Sequence, residues 1–435
     1  MKQDKNLFWL WLADRLGAEN RDFSRLICAY SPYDLFRADS EELEHISGIS
    51  EKTVVALSDK SLERAGAISN DCTELGISVI PYDADEYPGL LRGLRCPPVV
   101  LYCKGHLPDM NKKLCVGTVG TRRMSRYGMR VAYQLSYQLA SAGVVVVSGM
   151  ASGIDGVCAA GAMAAGGSTV AVVGAGIDVI YPKHHEPLME EICKHGAVVS
   201  EYPPKTPAKG YQFPVRNRII SGMSQTTVVV EAGLSSGSLI TAKDAILQGR
   251  TVFAFPSNVG NKGSEGTNSL LRDGVFLALS AADVLEGSLG SYGKEINLEQ
   301  MREAPEINQE VLQALARLGV IELQSPAVYR CEENPTAPIP AKTRKKKTQN
   351  KAETNREEQP TEASIPSPKK TPDEVLASLS EDQRQVLEGI PDDRSVSLDE
   401  LCGCGKTVGE VVAALTMLEI MGLVEPLPGG LYTKS

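Results

Sequence analysis

The sequence predicts an α/β protein: an extended, Rossmann-like, doubly wound and mostly parallel sheet, with a helical domain before it and a winged helix after it. Three observations carry this. From about Lys112 to residue 285, short β-branched runs alternate with glycine-containing helical stretches, the signature of successive βα units. Some runs, Val144-Val145-Val146-Val147 above all, are apolar at consecutive positions, as in strands covered on both faces. Before and after this region, helical spacing takes over.

Residues 1–75 alternate apolar and polar positions at helical spacing, with breaks at Gly17, Ser31-Pro32 and Gly48, and are expected to form a helical domain of SAM or helix-hairpin-helix type. Within it, Leu43-Glu44-His45-Ile46-Ser47-Gly48-Ile49 has the form of a helix-hairpin-helix turn, where a glycine lets amides approach a phosphate. A turn that only packs two helices fits the same residues. Residues 76–290 are expected to hold the sheet, with strands at Leu114–Val119, Val144–Ser148, Thr169–Val173, Ala197–Ser200, Thr226–Glu231 and Thr251–Phe255, and helices such as Tyr127–Ala140, Gly153–Ala165 and Ser238–Gln248 between them.

Residues 291–371 read as a connecting segment and then, from Asn334 to Thr371, a linker rich in Pro, Lys, Glu and Thr. Its near-lack of large apolar side chains predicts disorder. The run Arg344-Lys345-Lys346-Lys347 either touches phosphates or is simply solvated. Residues 372–435 read as three helices and a Pro-Gly-Gly turn into Leu431-Tyr432, the outline of a winged helix. Its third helix, about Thr407 to Met421, has no Lys or Arg, so protein contact is expected of it rather than entry into a DNA groove.

Bulk properties set the partner class. The chain has 435 residues, a net charge of −9, 42% hydrophobic and 23% charged residues, which is globular composition of multidomain length. No apolar run reaches the roughly 18 residues of a membrane span, so no membrane anchor and a cytoplasmic location are expected. Ten scattered cysteines without paired CxxC knuckles fit reduced thiols; Cys402-Gly403-Cys404 is the nearest approach to a metal motif, and no zinc site is expected. The acidic net charge argues against a polyanion partner until its distribution is considered. Met110 to Ile154 contains no Asp or Glu but includes Lys112, Lys113, Arg122, Arg123, Arg126 and Arg130, and Tyr202 to Val230 is likewise acid-free with Lys205, Lys209, Arg216 and Arg218. Phosphate senses local field.

In open parallel sheets, ligands bind beyond the carboxyl ends of the strands. There stand Gly120-Thr121-Arg122-Arg123, Ser148-Gly149-Met150-Ala151-Ser152-Gly153-Ile154-Asp155 and Gly174-Ala175-Gly176-Ile177-Asp178, whose glycines, hydroxyls and helix starts suit an anion. The segment Phe213-Pro214-Val215-Arg216-Asn217-Arg218 places two arginines around an amide, with Tyr211 and Phe213 as flat faces for unpaired bases; that suits a single strand. Phe213 fits a core position equally well.

These blocks, with Tyr181-Pro182, Ser200-Glu201-Tyr202-Pro203-Pro204, Phe213 to Gly222 and Ser236 to Ala242, resemble in order those of the DNA-processing protein A (DprA/Smf) family. The resemblance implies a non-catalytic homodimer without cofactor, which binds single-stranded DNA, protects incoming DNA and promotes loading of a RecA-type recombinase in natural transformation and recombination. Its phosphate-contacting loop falls on Gly120, Thr121 and Arg122, and its aromatic, Arg and Asn cluster on Phe213, Arg216, Asn217 and Arg218. Arg123, Ser148, Gly149, Lys209, Ser236, Gly237 and Ser238 complete the expected DNA-binding set. The chain departs from the family where Ser152 replaces a basic residue, where Ala159 stands near a usual His, and where Ser257 follows Pro256 in place of Gly.

The principal alternative is a nucleotide hydrolase resembling phosphoribohydrolases, but Gly233 to Ala242 lacks their P-G-G-x-G-T-x-x-E pattern. Glu231, Asp155 and Asp178 are the only plausible acids, with capping the expected role of the aspartates. No G-x-G-x-x-G follows the first predicted strand, and Gly405-Lys406-Thr407 lacks the first glycine of a P-loop, so dinucleotide chemistry and ATP hydrolysis are not expected.

Overall fold

The computed structural model describes residues 2–286, 296, 298–322 and parts of 381–434. The chain divides into two compact units, Met1–Pro335 and Thr336–Ser435. In the first, six helices come before the sheet: α1 (Lys2–Leu16), α2 (Phe23–Ala29), α3 (Pro32–Arg37), α4 (Ser40–Glu44), α5 (Glu51–Ser58) and α6 (Glu63–Glu74). Then follow β1 (Ser78–Pro81), α7 (Gly89–Arg92), β2 (Val100–Gly105), β3 (Cys115–Val119), α8 (Arg126–Ser141), β4 (Val145–Ser148), α9 (Ile154–Ala164), β5 (Thr169–Val173), α10 (Glu186–His195), β6 (Gly196–Ser200), α11 (Gln212–Gly222), β7 (Thr226–Val229), α12 (Ser238–Leu247), β8 (Thr251–Ala254), α13 (Glu265–Arg272), β9 (Phe276–Leu277), α14 (Ala281–Glu286) and α15 (Gln309–Arg317).

Nine strands form one sheet in the order β1-β2-β6-β5-β4-β3-β7-β8-β9. From β6 to β9 every pairing is parallel, with Val116 facing Val146 on one side of β3 and Thr226 on the other. The chain steps outward from β3 through β4, β5 and β6, then returns to its other side with β7. That reversal makes a crevice at the carboxyl end of β3.

Strand alternation explains the valine runs. Val144 and Val146 join one core with Val116, Val198 and Val228, while Val145 and Val147 join a second core with Val119, Val199 and Val229. Each strand therefore presents side chains to both layers, and every second position is apolar on either face. On one face α8 buries Met129, Ala132, Tyr133, Ser136, Leu139 and Ala140, the i, i+3, i+4 stripe of an amphipathic helix. Neighbouring α9 is buried along nearly its whole length, which its small residues allow. The N-terminal helices are not insulated from this core: Trp9, Phe23 and Leu57 belong to the cluster that includes Val100, Tyr102 and Val116.

The six expected strands occur within a residue or two of their predicted ends. Three more, β1, β2 and β9, did not show in the pattern. β1 and β2 pair antiparallel to each other, and β2 antiparallel to β6. Their region is interrupted by prolines, among them Pro81 at the end of edge strand β1, a place where a missing N–H costs little.

In the second unit, α16 (Glu381–Glu388) precedes a small sheet of β10 (Val396–Ser397), β11 (Val424–Leu427) and β12 (Leu431–Lys434) in the order β10-β12-β11. Val386, Ile390, Val396, Leu415, Leu418 and Val424 make its core, as in a winged helix. Val411, Ala414, Leu415 and Leu418 of the expected third helix are buried. The ends of that helix, the 334–371 linker with its Arg344–Lys347 run, and Cys402 and Cys404 lie outside the described residues.

Candidate nucleic-acid interface

The crevice at the end of β3 is a cleft of about 910 Å³, within the size range of ligand sites. Its walls come from loops far apart in sequence. Gly120 to Arg123 follow β3, Ala151 lies in the turn before α9 and Asp155 in its first turn, Phe213, Pro214, Arg216 and Asn217 belong to α11, and Gly233 and Ser235 to Ser238 form the loop and start of α12. Backbone bonds hold the loops together: Thr121 N–H donates to Glu231 O at 2.7 Å, and Ile154 N–H to Thr121 O at 3.2 Å. The crossing is tight enough to dictate a residue type. Gly153 has φ +84°, and a Cβ there would run into the carbonyls of Thr121 and Arg122.

Most of the expected residues meet in this cleft: Gly120, Thr121, Arg122, Arg123, Phe213, Arg216, Asn217, Ser236, Gly237 and Ser238. Arg122 and Arg123 are exposed, and Thr121 shapes their loop by accepting from Arg123 N–H at 3.2 Å. Ser236 and Ser238 hydroxyls lie 2.8 Å apart at the start of α12, where the helix dipole favours an anion. Asn217 is turned to the same loop, its Nδ2 donating to Gly237 O at 3.3 Å.

Arg216 and Arg218 behave differently from a surface clamp. Arg216 is 4% exposed; its Nη1 donates to Gly149 O at 2.7 Å and also to Val172 O, tying the ends of β4 and β5 beneath the cleft. Burial draws its pKa down to about 10, partly opposed by Asp155. Asp155 also lines the cleft, and burial lifts its carboxyl to about 6 against the pull of Arg216 and of the Ala151 and Gly149 amides. Arg218 lies outside the cleft lining and makes a buried ion pair with Glu201 at 2.6 Å. That carboxylate stands where the sequence reading expects a phosphate, since Glu201, just after β6, bonds the Arg218 guanidinium.

Three other expected residues are placed apart. Ser148 is buried and donates to Thr118 O at 2.7 Å, cross-linking β4 to β3. Gly149 lines a small adjoining cavity. Lys209 is exposed beside Ala208 and Gly210, which do line the cleft.

Phe213 is half-buried, with the guanidinium carbons of Arg122 and Arg216 5.6 and 6.0 Å from its ring centre and the Tyr181 ring at 5.1 Å. Cation–π contacts of this kind orient the arginines. Tyr181 is 46% exposed and is the more open aromatic of the cleft. Tyr211, 66% exposed, does not line it. Sequence reading named the Tyr181-Pro182 pair only as part of a block and missed Lys262, an exposed cation on the cleft wall that stands outside both acid-free stretches.

The acids have structural surroundings. Glu231 is buried, accepting from Ser125 N–H at 2.8 Å and from the Ser264 hydroxyl at 3.3 Å. Asp178 accepts from Lys205 N–H at 2.8 Å. No group of three or more His, Cys, Asp or Glu among the described residues could hold a metal, and no helix among them is long and apolar enough to cross a membrane.

The turn at Gly48, φ +79°, is filled from within. Asp22 accepts from Ser50 N–H at 3.0 Å, Ser50 Oγ at 2.7 Å and Thr53 Oγ1 at 2.6 Å, so a carboxylate of the chain itself occupies the start of α5. Of the two readings of this turn, packing is the one its geometry favours.

Known proteins match the same regions. The family model for DNA recombination-mediator protein A covers residues 78–288, and that for the DprA winged helix domain residues 368–430. DNA processing protein DprA of Bacillus subtilis is 40% identical over 213 residues, 49% of this chain and 72% of that protein. Protein Smf of Synechocystis is 32% identical over 355 residues, 81% of this chain and 79% of that protein. The X-ray structure of DprA from Streptococcus pneumoniae aligns with a TM-score of 0.56 at 32% identity, over 64% of this chain and 97% of that one. With its cleft, its sheet and its C-terminal module each matched, the chain belongs to the DNA-processing protein A family.

Proposed function

We propose that this chain is a cytoplasmic, non-catalytic protein that binds single-stranded DNA in the cleft at the end of β3. In this reading it acts as a homodimer, protects incoming DNA and passes it to a RecA-type recombinase in transformation and recombination. The observation that carries the reading is that the exposed Arg122 and Arg123, the Phe213 and Tyr181 rings and the hydroxyls of Ser236 and Ser238 line one cleft, with Arg122 over the Phe213 ring. In this reading cations meet the backbone and rings meet the bases. The recombinase step is supported by family membership, whose model describes a recombination mediator. Hydrolysis has less support: Glu231 holds Ser125 and Ser264, and Asp155, the plausible acid that does line the cleft, accepts from the Ala151 and Gly149 amides.

The test is fluorescence anisotropy of labelled poly-dT with the intact chain and an Arg122→Ala, Arg123→Ala variant over a range of salt. Binding should weaken with salt, with a log–log slope of about −0.7 per phosphate contact, and the variant should have a shallower slope. A salt-insensitive affinity shared by both proteins would overturn the reading.

A further inference from the structure

Residues 298–321 form a strap that reaches from the end of α9 to its start. At one end Arg302 N–H donates to Ser141 Oγ at 3.0 Å, and the Arg302 guanidinium to the carbonyl of Ala165, just past α9. At the other end α15 closes on Gly319, at φ +73°, and on Val320, which is buried. A Cβ at Gly319 would run into His184 O, and one at Gly156, in the first turn of α9, would lie 3.3 Å from both Val320 and the His185 ring. The strap therefore packs against the histidine turn beside the cleft.

His185 is fully buried, with Nδ1 3.0 Å from Met150 O. A carbonyl only accepts, so Nδ1 carries the proton. Burial holds the ring below the ordinary histidine pKa, and Nε2 has no partner among the described residues. The bond to Met150 is what the ring has to offer.

That bond falls on a demanding stretch of backbone. Met150 has φ +53°, a region that a residue with a Cβ keeps only where its surroundings hold it. Consecutive carbonyls of the turn have separate holders, Gly149 O the Arg216 Nη1 at 2.7 Å and Met150 O the His185 ring. Three residues on, Gly153 abuts the Thr121 and Arg122 carbonyls, and Ile154 N–H donates to Thr121 O. The turn thus touches the supports of both Arg122 and Arg216.

We propose that His185, wedged in place by Val320 of the strap, is a positioning residue for the cleft. It meets no ligand itself, but fixes the turn that places the two arginines before a strand arrives. The inference rests on the reading of the cleft as a single-strand site.

The test is poly-dT anisotropy across salt with the full chain and single variants. His185→Leu keeps an apolar body in the space and removes the donor; affinity should fall about tenfold, the scale of one hydrogen bond. The salt slope should stay that of the wild type, because no phosphate contact is lost. His185→Asn, whose side-chain amide can donate from near the Nδ1 position, should return affinity to within about twofold of wild type. Val320→Ala, which leaves the ring and thins the strap, should bind measurably less tightly than wild type. Unchanged affinity in His185→Leu, a shallower slope, or a loss that His185→Asn does not restore overturns the proposal and leaves the cleft reading standing. If His185→Leu does not fold, Val320→Ala decides, and its unchanged affinity overturns the proposal. Failure of the wild-type chain to bind poly-dT overturns the cleft reading itself.

Discussion

Three turns of this chain combine a glycine with hydroxyl residues, and they end differently. At Gly48 to Thr53, the Ser50 N–H and the Ser50 and Thr53 hydroxyls at the start of α5 point to Asp22, 28 residues before Ser50. At Gly120 to Arg123 and Ser236 to Ser238, the corresponding groups border an open cleft. Within α11, Arg218 is paired with Glu201 away from the cleft, while Arg216, two residues away, lines the cleft and ties the Gly149 and Val172 carbonyls together beneath it. An anion-binding motif is thus a site only when the fold supplies no anion of its own. Short-range pattern cannot say which case applies.

The largest effect that would sharpen this contrast is on stability. Arg218→Ala strands Glu201 in the interior, and the loss should be about 3–5 kcal/mol in urea unfolding; a loss under about 1 kcal/mol would mean the pair is not the filled partner described here. Next comes the open side: Arg122→Ala with Arg123→Ala should lower poly-dT affinity about 10- to 100-fold, while urea stability stays within about 0.5 kcal/mol, as for exposed residues. Asp22→Ala should cost about 1–3 kcal/mol by stranding three donors, with poly-dT affinity unchanged; a large affinity change would give the N-terminal turn a role in DNA contact.

A smaller, pH-dependent effect belongs to the buried acids. Burial raises both Asp155 and Asp244 to about 6, opposed by Arg216 for the first and aggravated by Glu19 for the second. A carboxyl raised in the folded state stabilises fully below its unfolded pKa and loses that contribution as pH rises through the folded value. Unfolding free energy should therefore carry a declining component between about pH 4 and 6, which Asp155→Asn with Asp244→Asn should flatten. The smallest expected effect is none: removing residues after Asn334 should leave single-strand affinity unchanged, and a clear loss would extend the DNA site beyond the cleft.

Much of the fold was legible because it is local. Valine runs at consecutive positions required two-sided burial, and strands β3 to β8 occur where those runs lie. β1 and β2 were not named: β1 is four residues long and ends at Pro81, and both strands are defined by antiparallel pairing with each other and of β2 with β6. In the site, glycine and arginine blocks showed which loops converge, but Lys262 carries no local signal, and Ser148 looked like a phosphate donor although its hydroxyl faces Thr118.

By itself the sequence determined strands β3 to β8 with the helices between them, the acid-free stretches and the family blocks, because periodicity, charge and turn residues act over a few positions. Only the tertiary structure decided which polar groups remain available. Glu201 reaches Arg218 from 17 residues away and Asp22 reaches Ser50 across 28, while Arg122 meets Phe213 from another loop. Whether a donor is filled depends on which distant group folding brings within about 3 Å of it.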